Sequence, residues 1–389
     1  MVANIMGLGA VSGYGWGMSA LWAGLSSRQP AGRRHHGLGG AFPDPCWFAR
    51  VPEQDGPAAP GADVAPGSNR YQQGCAAAVQ EAIDDARARG WRPGQRVGIV
   101  HATTRADLEL MRARYLAPGS VSPRRAYVEQ SWTTPSGLAM IRNGFTGPAV
   151  VVSAACSSGL HALAIGQRLL ECGDATDVVV LSSDIGFDGE EMTLFASLGP
   201  LIYDTPPEDA CRPFQEGTRG FVLGEGAAAL VLTHSAAGAP YARLRATMLG
   251  NDAYHPVAIE PTHVEIIATV DRCLAKAGIK PQEVTALVAH SSGTVECREA
   301  DTAVLDHLGP QATGAGLKPL LGHCMGTAPL LDAVAIARAH AEGGLPTHPP
   351  VADGHPRLAR DLLPVGGPVL QLGIGFGGNV SAAVYEPAL

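Results

Sequence analysis

Short apolar blocks alternate with stretches of helical spacing along most of this chain, and each such pairing predicts a strand followed by a helix. Residues 4–12 read as a strand running into a Gly-rich turn, and 18–25 as a short amphipathic helix. A helix is predicted over 75–89, stopped by Gly90, and then a strand over 96–101. The β-branched run 150–152 predicts a buried strand. A helix over 160–172, a strand over 178–182 and a Gly-broken strand pair over 221–232 follow it. After 233–240 a second series begins: strand 241–248, helix 264–277, strand 284–289, helix 328–341 and a terminal strand 369–386. Two stretches fit neither period. Residues 26–69 are rich in Pro, Gly and Ala and read as a long surface excursion. Residues 103–141 carry Arg105, Arg112, Arg114, Arg124 and Arg125, on helices that cover a pocket, pack on a second subunit or present a solvated basic face.

The second series echoes the first. Residues 97–104 resemble 286–293, and residues 221–229 resemble 374–382. A repeat of this size predicts two similar α/β halves, residues 1–240 and 241–389, packed into one compact unit with largely buried, partly parallel sheets.

Composition narrows the function. With 389 residues, 46% hydrophobic and 16% charged, the chain can bury a large core. A net charge of −8 without a Lys/Arg run argues against a nucleic-acid partner. No apolar run is long enough to span a membrane, and the N-terminus lacks a basic-then-apolar leader, so a cytoplasmic protein is expected. The 8 cysteines show no Cys-x-x-Cys spacing, so neither a metal site nor a disulfide framework is expected. Gly7, Gly9 and Gly13 superficially suggest a nucleotide loop, but no Gly-Lys-Ser/Thr follows and no acidic residue closes a dinucleotide unit.

The candidate chemistry centres on Cys156. It sits where the buried strand turns into the helix, among Ser153, Ala154, Ala155, Ser157, Ser158 and Gly159, small residues that leave the sulfur approachable. A thiol at a helix N-terminus faces unpaired N–H groups and the positive end of the dipole, so a lowered pKa is expected, and the fastest alkylation of the eight cysteines. Two histidines also end apolar blocks among small residues: His290 before Ser291-Ser292-Gly293-Thr294, and His323 within Lys318-Pro319-Leu320-Leu321-Gly322-His323. A thiol with two such imidazoles is a candidate nucleophile with acid/base and oxyanion partners.

These motifs, together with 6–12 at the start, Cys211-Arg212-Pro213-Phe214, Gly220 to Gly226, Asp252 to His255 and Gly375-Phe376-Gly377-Gly378, resemble the β-ketoacyl synthase family. The resemblance covers nearly the whole chain. It implies the thiolase fold, two βαβαβαββ halves in an α-β-α-β-α body. It implies that Cys156 takes an acyl chain from a carrier-protein thioester. His290 and His323 would then stabilise the enolate formed when a malonyl-type thioester loses CO2. Backbone N–H groups of Cys156 and Phe376 would form a second oxyanion hole, with Gly375 and Gly377 letting the main chain approach. Lys318 is expected to position the His323 loop and pair with Asp301, Ser292 and Thr294 to bind pantetheine, and Ile374 to gate the acyl pocket. No cofactor of the protein's own is implied, since phosphopantetheine belongs to the acyl carrier protein. A homodimer, or a heterodimer with a homologous subunit, is implied as well.

The departures from the family pattern point towards specialised polyketide biosynthesis. Arg298 stands where the family has Asp, Asp301 where it has Glu, Ile374 where many members have Phe, and Asn379 where Thr is common. Gln215, Thr218 and Arg219 break a usual Asp…Arg-Asp pattern. Arg298 keeps an alternative open: a non-decarboxylating acyltransferase that makes an ester or amide with His290 as base. A catalytically idle partner subunit is a third reading, disfavoured because Cys156, His290, Lys318 and His323 are all present.

Overall fold

A computed structural model describes residues 2–53, 69–116, 127–235 and 237–388. The two predicted series become two copies of one strand arrangement. In the first copy the strands in chain order are Ala3–Ser12, Val97–Ala102, Ala149–Val152, Asp177–Asp184 and Gly226–Thr233. In the second they are Ala242–Asn251, Ala286–Val288, Thr313–Ala315, Val369–Gly375 and Asn379–Pro387. Taken from the outer edge inwards, both copies run third, second, fourth, fifth, first. The outer three strands of each copy are parallel and the inner pairings antiparallel. The copies join where Ala3–Ile5 pairs with Ala242–Leu244.

Side-chain alternation explains the layers. Along Asp177–Asp184, Val178 and Val180 face the central core while Val179 and Leu181 face an outer one. Leu230 and Leu232 against Ala229 and Val231 repeat this on the next strand. In the second copy Leu370, Leu372 and Ile374 turn to the opposite outer core. The central core holds the two equivalent helices, Ser158–Glu171 and Ala328–Glu342. They pack so closely that a Cβ on Gly159 would lie 2.8 Å from the Leu330 nitrogen. The outer helices Arg70–Ala88 and Val264–Ala277 cover the other faces, completing α-β-α-β-α. Gly7 and Gly9 lie inside the first strand, where a Cβ would fall 2.0 Å from Ala82 O or Ala78 O. Their absent side chains seat the helix Arg70–Ala88.

Several expectations change. The strand pair over 221–232 is one strand, Gly226–Thr233. Phe221 and Leu223 make isolated pairings with Leu201 and His323 instead. The terminal strand is a hairpin that turns at Gly377 and Gly378, whose φ values of 79° and 72° suit glycine. Part of the supposed surface excursion is core: Cys46, Phe48 and Val51 are buried, and Cys46–Phe48 pairs with Arg33–His35. In the Arg-rich stretch Arg105 pairs with Glu191, Arg112 with Asp188 at 2.5 Å and Arg114 with Gln130, so these arginines are not a freely solvated face. Arg124 and Arg125 lie outside the described residues.

Candidate active site

Cys156 lies two residues before the helix Ser158–Glu171, in a turn where Ala155 takes φ 48° and Ser157 N donates to Ala154 O. It lines a cavity of about 460 Å³ together with His290, His323, Ser292, Thr294, Ile374, Gly375 and Phe376. The fold thus gathers residues that are far apart in sequence. Lys318, Asp301 and Gly377 stand behind this wall and do not line it.

Each histidine is set by its backbone. His323 N donates to Val222 O at 2.8 Å and its carbonyl accepts from Gly224 N at 3.0 Å, while the Phe221 ring meets its imidazole edge-on at 4.5 Å. His290 follows the strand Ala286–Val288. Its N–H and that of Ser291 donate to the two oxygens of Asp301 at 3.2 and 2.8 Å. The two rings are 6.0 Å apart at 81°. Nδ1 of each is buried without a hydrogen-bond partner among the described residues.

Lys318 departs from its expected task. Its Nζ donates to the His290 carbonyl, so it ties the segment that leads into His323 to the His290 loop instead of pairing with Asp301. The shorter Asp side chain is taken by two main-chain N–H groups and by the Cys297 thiol at 3.4 Å. Burial raises the Asp301 carboxyl to about 6.

The thiol overturns a second expectation. Burial pushes the Cys156 thiol up to about 11 and Asp184 adds to the rise, while Lys318 and Arg105 only partly oppose it. A sulfur only 6% exposed loses more solvation than the helix terminus returns. Cys172 is the exposed cysteine of the eight, so a small alkylating reagent reaches it first. The imidazoles move the other way. Burial, reinforced by the Lys318 charge, lowers both His290 and His323 well below the usual histidine range, so both are neutral at pH 7.

Gly375 stands directly behind the nucleophile turn. A Cβ there would lie 2.8 Å from Ala154 O and 3.2 Å from the Cys156 nitrogen. The next turn is bolted on both sides: Asn379 Nδ2 donates to Phe376 O and Asn251 Nδ2 to Gly377 O, each at 2.7 Å. Thr294 caps the helix Val295–His307, its hydroxyl accepting from Cys297 N at 3.2 Å, and Ser292 N donates to the Cys297 sulfur. Arg298 lies on that helix, 4.0 Å from Glu299, and does not line the cavity. Gln215 accepts from Val351 N and Ala352 N, Thr218 bonds the Gly293 carbonyl, and Arg219 reaches the cavity wall.

Sequence reasoning missed Phe195, Leu198 and the segment Val257 to Ile259, all of which line the cavity. Phe195 sits on the helix Gly189–Ala196 and stacks on Phe376 at 6.4 Å. The signal was there: Asp188 caps this helix and Glu191 follows three residues later, an N-terminus signature. Among the described residues no group of three or more His, Cys, Asp or Glu could hold a metal ion, and no helix is long and apolar enough to cross a membrane.

The comparisons with known proteins agree with this geometry. The N-terminal domain model of β-ketoacyl synthase matches residues 63–237 and the C-terminal domain model matches residues 241–351. The chain is 30% identical to polyketide beta-ketoacyl synthase 1 of Streptomyces cyaneus, over 98% of this chain and 96% of that one. It is 31% identical to the tetracenomycin polyketide synthase ketoacyl synthase alpha subunit of Streptomyces glaucescens, over 62% of this chain and 60% of that protein. The fold matches the ishigamide ketosynthase/chain length factor structure with a TM-score of 0.85 at 22% identity, covering 100% of this chain and 99% of that one. With both domain models matched and a relative aligned end to end, the chain belongs to the β-ketoacyl synthase family.

Proposed function

We propose that this protein is a ketosynthase of specialised polyketide biosynthesis. It condenses an acyl chain held on Cys156 with a malonyl-type carrier-protein thioester, with loss of CO2. The observation that carries this reading is the convergence of one thiol and two neutral imidazoles on a single cavity. A neutral thiol suits the first step: the sulfur attacks the incoming thioester while its proton passes to the departing pantetheine sulfur, so no free thiolate accumulates. The malonyl carboxylate then leaves as CO2, and its electron pair forms an enolate. The scheme places the proton of each neutral imidazole on Nε2, leaving Nδ1 unprotonated and unpartnered, so that both rings can donate to the enolate oxygen. The enolate carbon attacks the acyl carbonyl, the C–S bond breaks with its electron pair on sulfur, and the Cys156 thiolate takes a proton from solvent. N–H groups of Cys156 and Phe376 would hold the tetrahedral oxyanion, on a turn that Gly375 lets approach.

Lys318 and Asp301 shape the His290 loop in this scheme, Ser292 and Thr294 face the pantetheine arm, and Ile374 gates the acyl pocket. The protein needs no cofactor of its own; phosphopantetheine arrives on the acyl carrier protein. The half-exposed edge strand Ala149–Val152 and the exposed Tyr115, Tyr127 and Ile141 support pairing with a second or homologous subunit. Eight free cysteines suit the reducing cytoplasm. Arg298, away from the cavity, gives no support to holding an acceptor carboxylate for simple acyl transfer. Product mass decides the matter when acyl-loaded enzyme is offered a malonyl-type thioester beside an amine or alcohol. A β-keto product with CO2 is expected; an ester or amide with the malonyl unit intact refutes the reading.

A further inference from the structure

Asp184 ends the fourth strand of the first copy and is 3% exposed. One oxygen accepts from Thr104 N at 2.9 Å and Thr104 Oγ1 at 2.6 Å. The other accepts from Thr327 N at 3.0 Å and Thr327 Oγ1 at 3.1 Å. Among the described residues no cation forms an ion pair with this carboxylate; Arg105, paired with Glu191, acts on it only through its charge, and main-chain and hydroxyl donors make its hydrogen bonds. The two donors come from different copies. Thr104 follows the strand Val97–Ala102, and Thr327 lies four residues after His323. Between them sits the nucleophile turn: a Cβ on Gly326 would lie 2.8 Å from Thr104 Cγ2, 2.9 Å from Ala155 O and 2.9 Å from Ser158 Cβ.

We propose that Asp184 is a positioning residue of the condensing site: its single carboxylate fixes the Thr104 loop and the Thr327 turn on either side of Cys156, and so sets His323 against the sulfur. This inference rests on the ketosynthase reading for its chemistry but not for its geometry. The charged and titratable groups that feel Asp184 are Arg105, Tyr71, Cys75, Cys156 and Cys324, and Lys318 acts on Cys156 from the far side. The carboxylate charge opposes thiolate formation at Cys156. An amide in its place would remove that opposition and turn a donor towards donors.

The test compares wild type with Asp184→Asn, Thr104→Val and Thr327→Val by melting temperature, by CO2 released per β-keto product, and by the pH midpoint of Cys156 alkylation read on its peptide. Loosening the clamp should let decarboxylation outrun condensation. The CO2-to-product ratio is expected to rise from one to about 5–10 in Asp184→Asn and to about 2–3 in the valine variants, small parts of the ~10²-fold that a lost oxyanion geometry costs. The alkylation midpoint should move to lower pH in Asp184→Asn alone. A merely structural residue would lower all rates together and leave the ratio at one. That ratio in folded variants overturns the inference, and should Asp184→Asn not fold, the valine pair decides it. If wild type releases no CO2 the ketosynthase reading itself fails. The substrate-free alkylation rate of Cys156 in Thr104→Val and Thr327→Val, which keep the carboxylate charge, then decides on Asp184, and a rate unchanged from wild type in both overturns it.

Discussion

The two copies of the repeat share a strand order and divide the chemistry. In the first copy the third strand, Ala149–Val152, leads into the Cys156 turn and the helix Ser158–Glu171. In the second the equivalent strand, Thr313–Ala315, leads through Lys318 and His323 into the helix Ala328–Glu342. The thiol and one imidazole therefore lie in the connection between third strand and central helix of each copy, and both line one cavity beside the close contact of the two helices at Gly159. The second loops differ more: Thr103 and Thr104 in one copy, His290 and Ser291 in the other. A carboxylate braces each of these loops. Asp184 receives Thr104, and Asp301 receives the main chain of His290 and Ser291. Duplication supplied the scaffold, and under the proposed function loop chemistry gives one copy the acyl-holding thiol and the other the decarboxylating imidazoles.

The sharpest way to break this division is to remove the nucleophile. Cys156→Ser should abolish the acyl adduct seen by intact mass and lower product formation by at least ~10⁴-fold, with the fold unchanged by circular dichroism. Adduct persisting at another cysteine would relocate the first copy's role. Next in size are the imidazoles. His290→Ala and His323→Ala should each keep loading and lose CO2 release by about 10²–10³-fold, measured on enzyme loaded in advance. Gly375→Ala tests the contact between the copies at the sulfur. Its Cβ would press on Ala154 O and the Cys156 nitrogen, so a loss of about 1–3 kcal/mol in denaturant unfolding is expected, with slower loading.

Acidity gives the smallest effect and separates the imidazoles from the buried carboxylates by sign. His290 and His323 are depressed, so their contribution to stability is present above 6.5 and lost as pH falls towards their folded values. Asp184 and Asp301 are raised from 3.8 to about 6, so acid favours their folded forms over the same window. The double variant His290→Ala/His323→Ala should therefore lose less melting temperature than wild type between pH 7 and 5.5. An equal loss would mean that the imidazoles are not held neutral by burial.

Much of this arrangement was legible in the residues. The helix predicted over 264–277 is Val264–Ala277, and the strand–Cys–helix turn stands where its small residues placed it. The echo at 374–382 aligned Gly226 with Asn379, and these residues begin the fifth strand of each copy. What sequence could not carry was the balance of opposing terms. A helix N-terminus favours thiolate, yet the depth of Cys156 decides the sign, and depth is a property of the packed halves. The family pattern implied a Lys318–Asp301 pair, but a main-chain carbonyl claimed Lys318, and two main-chain N–H groups with the Cys297 thiol claimed Asp301. Phe195 was hidden for a related reason: its role comes from stacking on Phe376, 181 residues away in the chain (376 − 195).

The most direct test of the division between copies is a two-step mass measurement on wild type and the double variant His290→Ala/His323→Ala. Each is first incubated with an acyl thioester, and the adduct is located by peptide mapping. A malonyl-type thioester is then added while CO2 and the remaining adduct are counted. Both proteins should load on Cys156, and wild type alone should unload, releasing one CO2 per β-keto product. A double variant that cannot load, or that unloads with CO2 at the wild-type rate, would contradict the account.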